Sequence, residues 1–429
     1  MSHRQQLARL TGYKSYADRA QQHMILSGYE KAEEFLDLVG TSLKPLVEEE
    51  LEDAYRISKD NKLITSKAEL SRNTVEVASK IEQRKLYLQY GDVSRFFGFG
   101  RVLKGFGDLC SDLYGIRLKV SKSDPHEIWE GPVVKLECHK GDQFLGTIYI
   151  DAESRRNKSD GDCHYTVKCS KTMDDGSHQK PIVVLSLSFF TVKNRNMELN
   201  ELLDSVTINL LHAENLFHEL GHAIHSMLGA TRYQHTAGTR CPTDFAEVPS
   251  NLMEFFFSDA RVLKRFCMDP RGTLFSDEHA KALHSALNMY PAYFSTLQLL
   301  LARFDLQLHH SDGESPMSLY HKLHREVLPN MAIPADYAYH QNFTHLVTYG
   351  AKYYSYTIAK ACASQIWQKH FEQDPFSRVS GEHWASVQAR GGELPSAKLL
   401  ELALGTKLSV EDLAEAFKLH CIELRDAKL

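Results

Sequence analysis

Over the first 122 residues, apolar side chains recur three and four positions apart. The run EKAEEFLDLVGTSLKPLVEEELEDAYRISKD, Glu30 to Asp60, is one example, and the period predicts long amphipathic helices. Between about 128 and 190 the period changes. GPVVKLECHKGDQFLGTIYIDA reads as two β-rich runs around a Lys-Gly-Asp turn, and CHYTVKC and PIVVLSLSFF supply two more strands. From about 198 to 429 the helical period returns, with short polar breaks such as HHSDGESP at 309–316. No internal repeat or low-complexity tract interrupts the pattern. It predicts a mainly α chain of the α+β kind: a helical segment over 1–122, a small β-sheet over 128–190 and a second helical region over 198–429. GFGRVLKGFG (98–107) does not match G-x-G-x-x-G and follows no strand, so it reads as a loop or helix entry.

One helix of the last region is unusual. Val206, Leu210, Ala213, Phe217, Leu220, Ile224 and Met227 alternate four and three apart, a single buried stripe of roughly seven turns. Gly229 is placed to end it as a C′ glycine. His218, His222 and His225 form a second stripe beside the buried one. Partly buried imidazoles need partners for both ring nitrogens, and three in a row are costly without them. A divalent ion removes that cost, because His218 and His222 stand one turn apart and both rings can reach one ion about 2 Å away. Glu219, about 100° around the helix, can then reach a water on that ion without coordinating it. His218-Glu219-Leu220-Gly221-His222 is thus the HExxH arrangement of zinc hydrolases. HEIWE at 126–130 is a near miss that lacks the second histidine. Gly221 adds weight: a mid-helix glycine costs about 1 kcal/mol against alanine, which implies that something packs close to the backbone there.

A catalytic site of this kind needs a third protein ligand. The nearby candidates are His225, His235, Asp244, Glu247 and Glu254. His225 is one turn beyond His222, and three consecutive turns cannot converge on one ion, so it reads as an outer or substrate-facing group. TDFAEVPSNLMEFFFSDARVL starts a second helix with Glu247, Asn251 and Glu254 on one face. Asp244-Phe-Ala-Glu247 also fits a capping box, but Pro249 would then fall at the fifth helical position and remove a main-chain bond. The pattern favours Glu247 as the ligand.

Composition narrows the function classes. With 429 residues, 43% of them hydrophobic, the chain can bury a large core. A net charge of −5 gives no reason to expect nucleic acid or an anionic membrane as partner. No apolar run approaches the ~18 residues of a membrane span. The N-terminus lacks the apolar core of a secretory signal; its basic, amphipathic character has a transit-peptide flavour but reads as the start of a structural helix. The eight cysteines form no CxxC pair and read as reduced thiols. Cys138-His139 and Cys163-His164 read as strand residues rather than metal ligands.

LFHELGHAIHSMLG…YQHTAGTRCPTDFAEVPSNLMEFF (216–256) resembles the catalytic core of the thimet-oligopeptidase family of metallopeptidases, and its wording is most similar to the intermediate-peptidase branch. FTHLVTYGAKYYSY (343–356) is a second matching block, and weaker similarity runs through nearly the whole chain. The resemblance implies a zincin-like helical fold around a deep channel, with a small sheet beside the metal. It implies Zn2+, with Mn2+ or Co2+ as substitutes, held by His218, His222 and Glu247, with Glu219 as general base. It implies that His345, Tyr349 and Tyr356 engage substrate and transition state. Tyr349, Tyr353 and Tyr356 are spaced four and three, so on a helix their hydroxyls would line one face, either as oxyanion donors or as an aromatic core stripe. Thr348 stands where the family has glycine. The resemblance further implies short or unfolded peptide substrates, or a mitochondrial precursor trimmed of an N-terminal octapeptide. It also implies a monomer, a mitochondrial matrix location and a longer protein whose N-terminal domain is missing here. Two alternatives stay open: a general oligopeptidase, and a zinc-binding peptide receptor without turnover. The terminal Ala427-Lys428-Leu429 is close to a peroxisomal address, and the cytosol is a third location.

Overall fold

The computed structural model describes residues 1–159, 161–192, 198–311 and 313–427. Of the Ala427-Lys428-Leu429 tripeptide, only Ala427 falls within them. The principal helices, in chain order, are α1 (Tyr29–Asp60), α2 (Arg72–Tyr90), α3 (Phe99–Tyr114), α4 (Leu210–Leu228), α5 (Val248–Ser258), α6 (Pro291–His310), α7 (Ser355–His370), α8 (Arg378–Gln388) and α9 (Val410–Asp426). The sheet strands are β1 (Ile116–Ser121), β2 (Val134–Lys140), β3 (Gln143–Glu153), β4 (Cys163–Lys168) and β5 (Ile182–Phe190). The chain is mainly helical with a small mixed sheet.

Two compact units are built from interleaved stretches: Met1–Gly91, His284–Cys362 and the chain from Lys407 onward form one; Asp92–Leu283 and Ala363–Thr406 form the other. They cut across the three stretches that the hydrophobic period separates. Periodicity reports which face of a helix is buried, not which neighbour covers it.

In the first unit, α1 buries Phe35, Leu36, Val39, Leu43, Val47, Leu51 and Ala54 along one stripe, covered by α2, α6 and α9. Glu50 sits in that stripe, buried, because its carboxylate accepts the main-chain N–H groups of Ala292 (3.2 Å) and Tyr293 (2.7 Å). Those are donors that the start of α6 leaves unsatisfied, and Pro291 at its first position has none to satisfy. The N-terminal segment Ser2–Leu10 is a helix that buries Gln5 and Ala8.

The second unit holds the sheet, in the order β1-β2-β3-β5-β4. β2 and β3 form the expected hairpin around Gly141-Asp142, and β3 runs parallel to β5. β1 lies within the stretch read as helical. On β5, Val183, Leu185, Leu187 and Phe189 alternate inward, and α4 packs against β3, β4 and β5. Phe217 of α4 is ringed by Phe106, Phe257 and Phe266, with centroids 5.1, 5.3 and 6.1 Å away. All eight cysteines are free thiols.

α4 is shorter than its apolar stripe. Asn209 caps it by accepting the His212 N–H at 2.8 Å, and Val206 closes the preceding helix instead. Gly229 ends α4 without a left-handed turn (φ −74°); a Cβ there would sit 2.5 Å from the Gly238 Cα. Gly221 answers to close packing as well: a Cβ would meet the Ser250 Cα at 2.8 Å and the Pro249 carbonyl oxygen at 3.0 Å, so α4 and α5 cross almost backbone to backbone.

Gly221→Ala is expected to destabilise the protein by about 1–3 kcal/mol through overpacking. Gly107→Ala in α3, where a Cβ would lie 3.7 Å from its nearest neighbour, should be neutral or stabilising by up to ~1 kcal/mol. Chemical denaturation of the two variants checks the contrast.

Candidate metal centre

The crossing of α4 and α5 positions three donors. His218 and His222 project from successive turns of α4, their ring centroids 5.0 Å apart. Glu247 enters from the other side. A one-turn helix, Thr243–Ala246, stops there and α5 starts afresh at Val248. Glu247 is therefore the joint between two helices and not the N3 residue of a capping box. Pro249 falls in the first turn of α5, where a missing N–H costs nothing.

Glu247 Oε2 lies 3.6 Å from His218 Nε2 and 3.3 Å from His222 Nε2. Among the described residues, this is the one set of three such side chains whose donor atoms all lie within 4.8 Å of one another. Ligands bound tetrahedrally at about 2.0–2.1 Å are spaced by about 3.4 Å, so the two measured separations fit a zinc-sized ion. The donor chemistry fits too. His218 Nδ1–H donates to Glu254 Oε1 at 2.6 Å, which turns Nε2 toward Glu247. Asn251 Nδ2 donates to the Glu247 carbonyl at 2.8 Å and steadies that joint.

The charges of the metal-free site follow from this geometry. Burial disfavours the charged form of His218, but the Glu247 and Glu254 carboxylates outweigh it and raise the imidazole to about 10. Burial alone would push Glu247 up, yet the charges of His222 and His218 hold it far below the usual carboxylate range. Glu219 differs: burial raises it, and His222 and His218 offset only part of that. It is 6% exposed, and its Oε2 has no hydrogen-bond partner. An unpartnered buried carboxylate oxygen one residue from a metal donor is poised for a small ligand.

The remaining sequence candidates fall outside the cluster. His225 does not face outward toward substrate. It is fully buried, its ring 6.4 Å from that of Phe245, both nitrogens lack partners, and burial lowers it to about 3. His235 is exposed on a short turn and Asp244 is buried. His164, passed over as a strand residue, is one, but on β4 its ring stands 5.8 Å from His222 and its Nε2 3.1 Å from Ser226 Oγ. The alternation of β4 could have pointed to it once β4 was known to border α4.

A separate cluster forms in the first unit. His345 opens a one-turn helix, His345–Thr348, and Tyr349 to Tyr354 form turns before α7. The three tyrosines therefore do not share a helical face. They converge by folding back: the rings of Tyr349, Tyr353 and Tyr356 lie 5.4, 5.0 and 6.0 Å from His345. The Tyr356 hydroxyl is 3.4 Å from His345 Nε2. Tyr353 is structural, its hydroxyl donating to Gln298 at 2.7 Å.

The model of peptidase family M3 matches residues 1–419. Mitochondrial intermediate peptidase of Pongo abelii is 34% identical over 97% of this chain and 58% of its own length, and that of Homo sapiens gives the same figures. The Arabidopsis thaliana protein of that name is 31% identical over 88% of this chain and 53% of its own. The chain thus spans little more than half the length of these relatives. Among solved structures, PZ peptidase A with an inhibitor superposes with a TM-score of 0.55 at 14% identity, covering 99% of this chain and 64% of that one, a likeness of fold.

Glu254→Gln should weaken metal binding 10- to 100-fold by loosening His218, as competition with a chromogenic chelator would show. Because His218 stays protonated in the metal-free site up to about pH 10, metal binding at pH 7 should release a proton and affinity should rise with pH. By the same sign, what the raised His218 adds to metal-free stability is complete below about pH 6.5 and lost as pH climbs through about 10. Calorimetry in buffers of different ionisation enthalpy counts the proton.

Proposed function

We propose that this chain, which belongs to peptidase family M3, is a zinc-dependent endopeptidase of short or unfolded peptides, and that its substrates are mitochondrial precursors from which it removes an N-terminal octapeptide. The observation that carries the reading is the convergence of His218, His222 and Glu247 beside the unpartnered carboxylate of Glu219. The mitochondrial location is supported by the relatives named mitochondrial intermediate peptidase; the octapeptide and the matrix follow from the resemblance seen in the sequence.

His218 and His222 through Nε2, with the Glu247 carboxylate, would hold Zn2+. When bound, the ion supplies Lewis-acid polarisation of the scissile carbonyl and acidifies water. Glu219 Oε2 takes the proton of the attacking water and hands it to the leaving amine nitrogen. Burial raises Glu219 and makes it a stronger base than a surface carboxylate. Tyr356, with His345 beside its hydroxyl, and Tyr349 are the substrate-engaging side chains that the resemblance implies, their phenols being of the kind that donates to an oxyanion. Glu254 fixes the ring plane of His218.

Strand β4 suits an extended peptide. It is a sheet edge beside α4, and Tyr165 and Val167 are 52% and 66% exposed. A substrate strand added there would be held by main-chain bonds that are blind to sequence. Among the described residues no helix is long and apolar enough to cross a membrane.

Glu219→Gln is expected to lower kcat at least 100-fold on a quenched fluorescent octapeptide while the chain retains stoichiometric zinc. Loss of zinc together with activity would instead mean that Glu219 builds the site. Tyr356→Phe should cost 10- to 1000-fold in kcat with KM little changed. Equal rates on an unrelated peptide and on an octapeptide-bearing precursor would favour a general oligopeptidase.

A further inference from the structure

The loop that carries His345 and Tyr349 into Tyr356 is held by a polar relay within the first unit. Asp305, on α6, is 1% exposed. Its two carboxylate oxygens accept the main-chain N–H groups of Ala351 and Tyr353, each at 3.0 Å. Ala351 has φ +62°, a left-handed conformation disfavoured for a residue with a Cβ. Its peptide is gripped at both ends, since Gln21 Nε2 donates to its carbonyl.

Behind Asp305 stands His309, fully buried, whose Nδ1 lies 2.8 Å from the Asp305 carbonyl oxygen and 3.0 Å from Oδ1. Arg4 Nη1 is 2.6 Å from His309 Nε2 and can only donate, so Nε2 accepts and Nδ1 carries the proton toward Asp305. The same guanidinium donates to the carbonyls of Leu346 and Val347 on the loop itself. Gly350 completes the fit: a Cβ there would lie 2.4 Å from Arg4 Nη1 and 2.7 Å from His309 Nε2. Arg4, His309 and Asp305 thus bind the loop on both sides of Tyr349, at 346–347 and at 351–353.

A buried carboxylate without a full cation partner is a costly way to fill a core site. A loop needing only packing would not require one. We propose that Asp305 is the positioning residue of the His345–Tyr349–Tyr356 cluster, holding the left-handed turn at Ala351 that folds Tyr349 back onto Tyr356, and that Arg4 extends the hold through His309. The two tyrosine rings lie nearly parallel at 5.8 Å, an arrangement that turns between them must impose. The inference rests on the reading that these side chains act on the substrate; the hold on the loop can be measured apart from it.

The test uses Asp305→Asn and Arg4→Met in the full chain. Hydrogen exchange at the Ala351 and Tyr353 amides should quicken at least tenfold in Asp305→Asn, with exchange in α4 and α5 unchanged. Peptide hydrolysis should lose at least fivefold in kcat with KM within twofold, and in a Tyr356→Phe background the same substitution should change kcat less than twofold. Arg4→Met should act in the same direction, to a smaller degree, and it keeps the test open if Asp305→Asn does not fold. Unchanged exchange at both amides in a folded variant, or an equal fold-loss in the two backgrounds, overturns the proposal. Altered exchange in a chain with no peptidase activity in any form would uphold the hold on the loop and overturn only its catalytic meaning.

Discussion

The close crossing of α4 and α5 at Gly221 governs the candidate site. Two helices with ordinary side chains at the contact keep their axes about 8–10 Å apart, and an extra methyl at Gly221 would press on the Ser250 Cα. Removing it brings Glu247, at the N-terminal joint of α5, within 3.3–3.6 Å of two imidazoles on α4. It also brings Glu254, almost two turns further along α5, to the far nitrogen of His218. One crossing therefore sets both the donors and the group that orients one of them.

That crossing confines several titratable groups in little space, and each has a different settlement. His218 and Glu247 share charge, so burial is outweighed by their mutual attraction. For His164 and His225 burial prevails, and with His222 nearby it drives both down to about 3. Glu219 is left with an unpartnered oxygen and a raised proton affinity. Groups whose environments push their proton affinities apart within one site are what acid–base chemistry requires.

In the first unit the organising problem is a loop rather than a helix crossing. The turns between Thr348 and Ser355 cannot be held by periodic hydrogen bonds, and the buried Asp305 substitutes for them. Glu50 does the same for the start of α6. Both carboxylates are buried because the main chain needs acceptors there, a use of charge that binary patterning does not reveal.

Much of the site was legible in the chain alone. The His218-Glu219-xx-His222 spacing and the polar face of Glu247 and Glu254 follow from helical geometry, which a period of 3.6 encodes locally. The four strands between Val134 and Phe190 were readable for the same reason, since alternation and turn residues are local signals. The start of α4 at Leu210 was less so, because the apolar stripe continues through Val206 and only the Asn209 cap ends it. The tyrosine spacing misled: four-and-three periodicity at 349–356 belongs to a turn, where the left-handed Ala351 held by Asp305 overrides it. His164 beside His222, and the Arg4–His309–Asp305 relay, join residues 58 to more than 300 positions apart. The sequence by itself determined the candidate donors and their spacing. Which elements meet, and so which charges are buried together, was decided by tertiary packing, because contacts between distant segments leave no period in the chain.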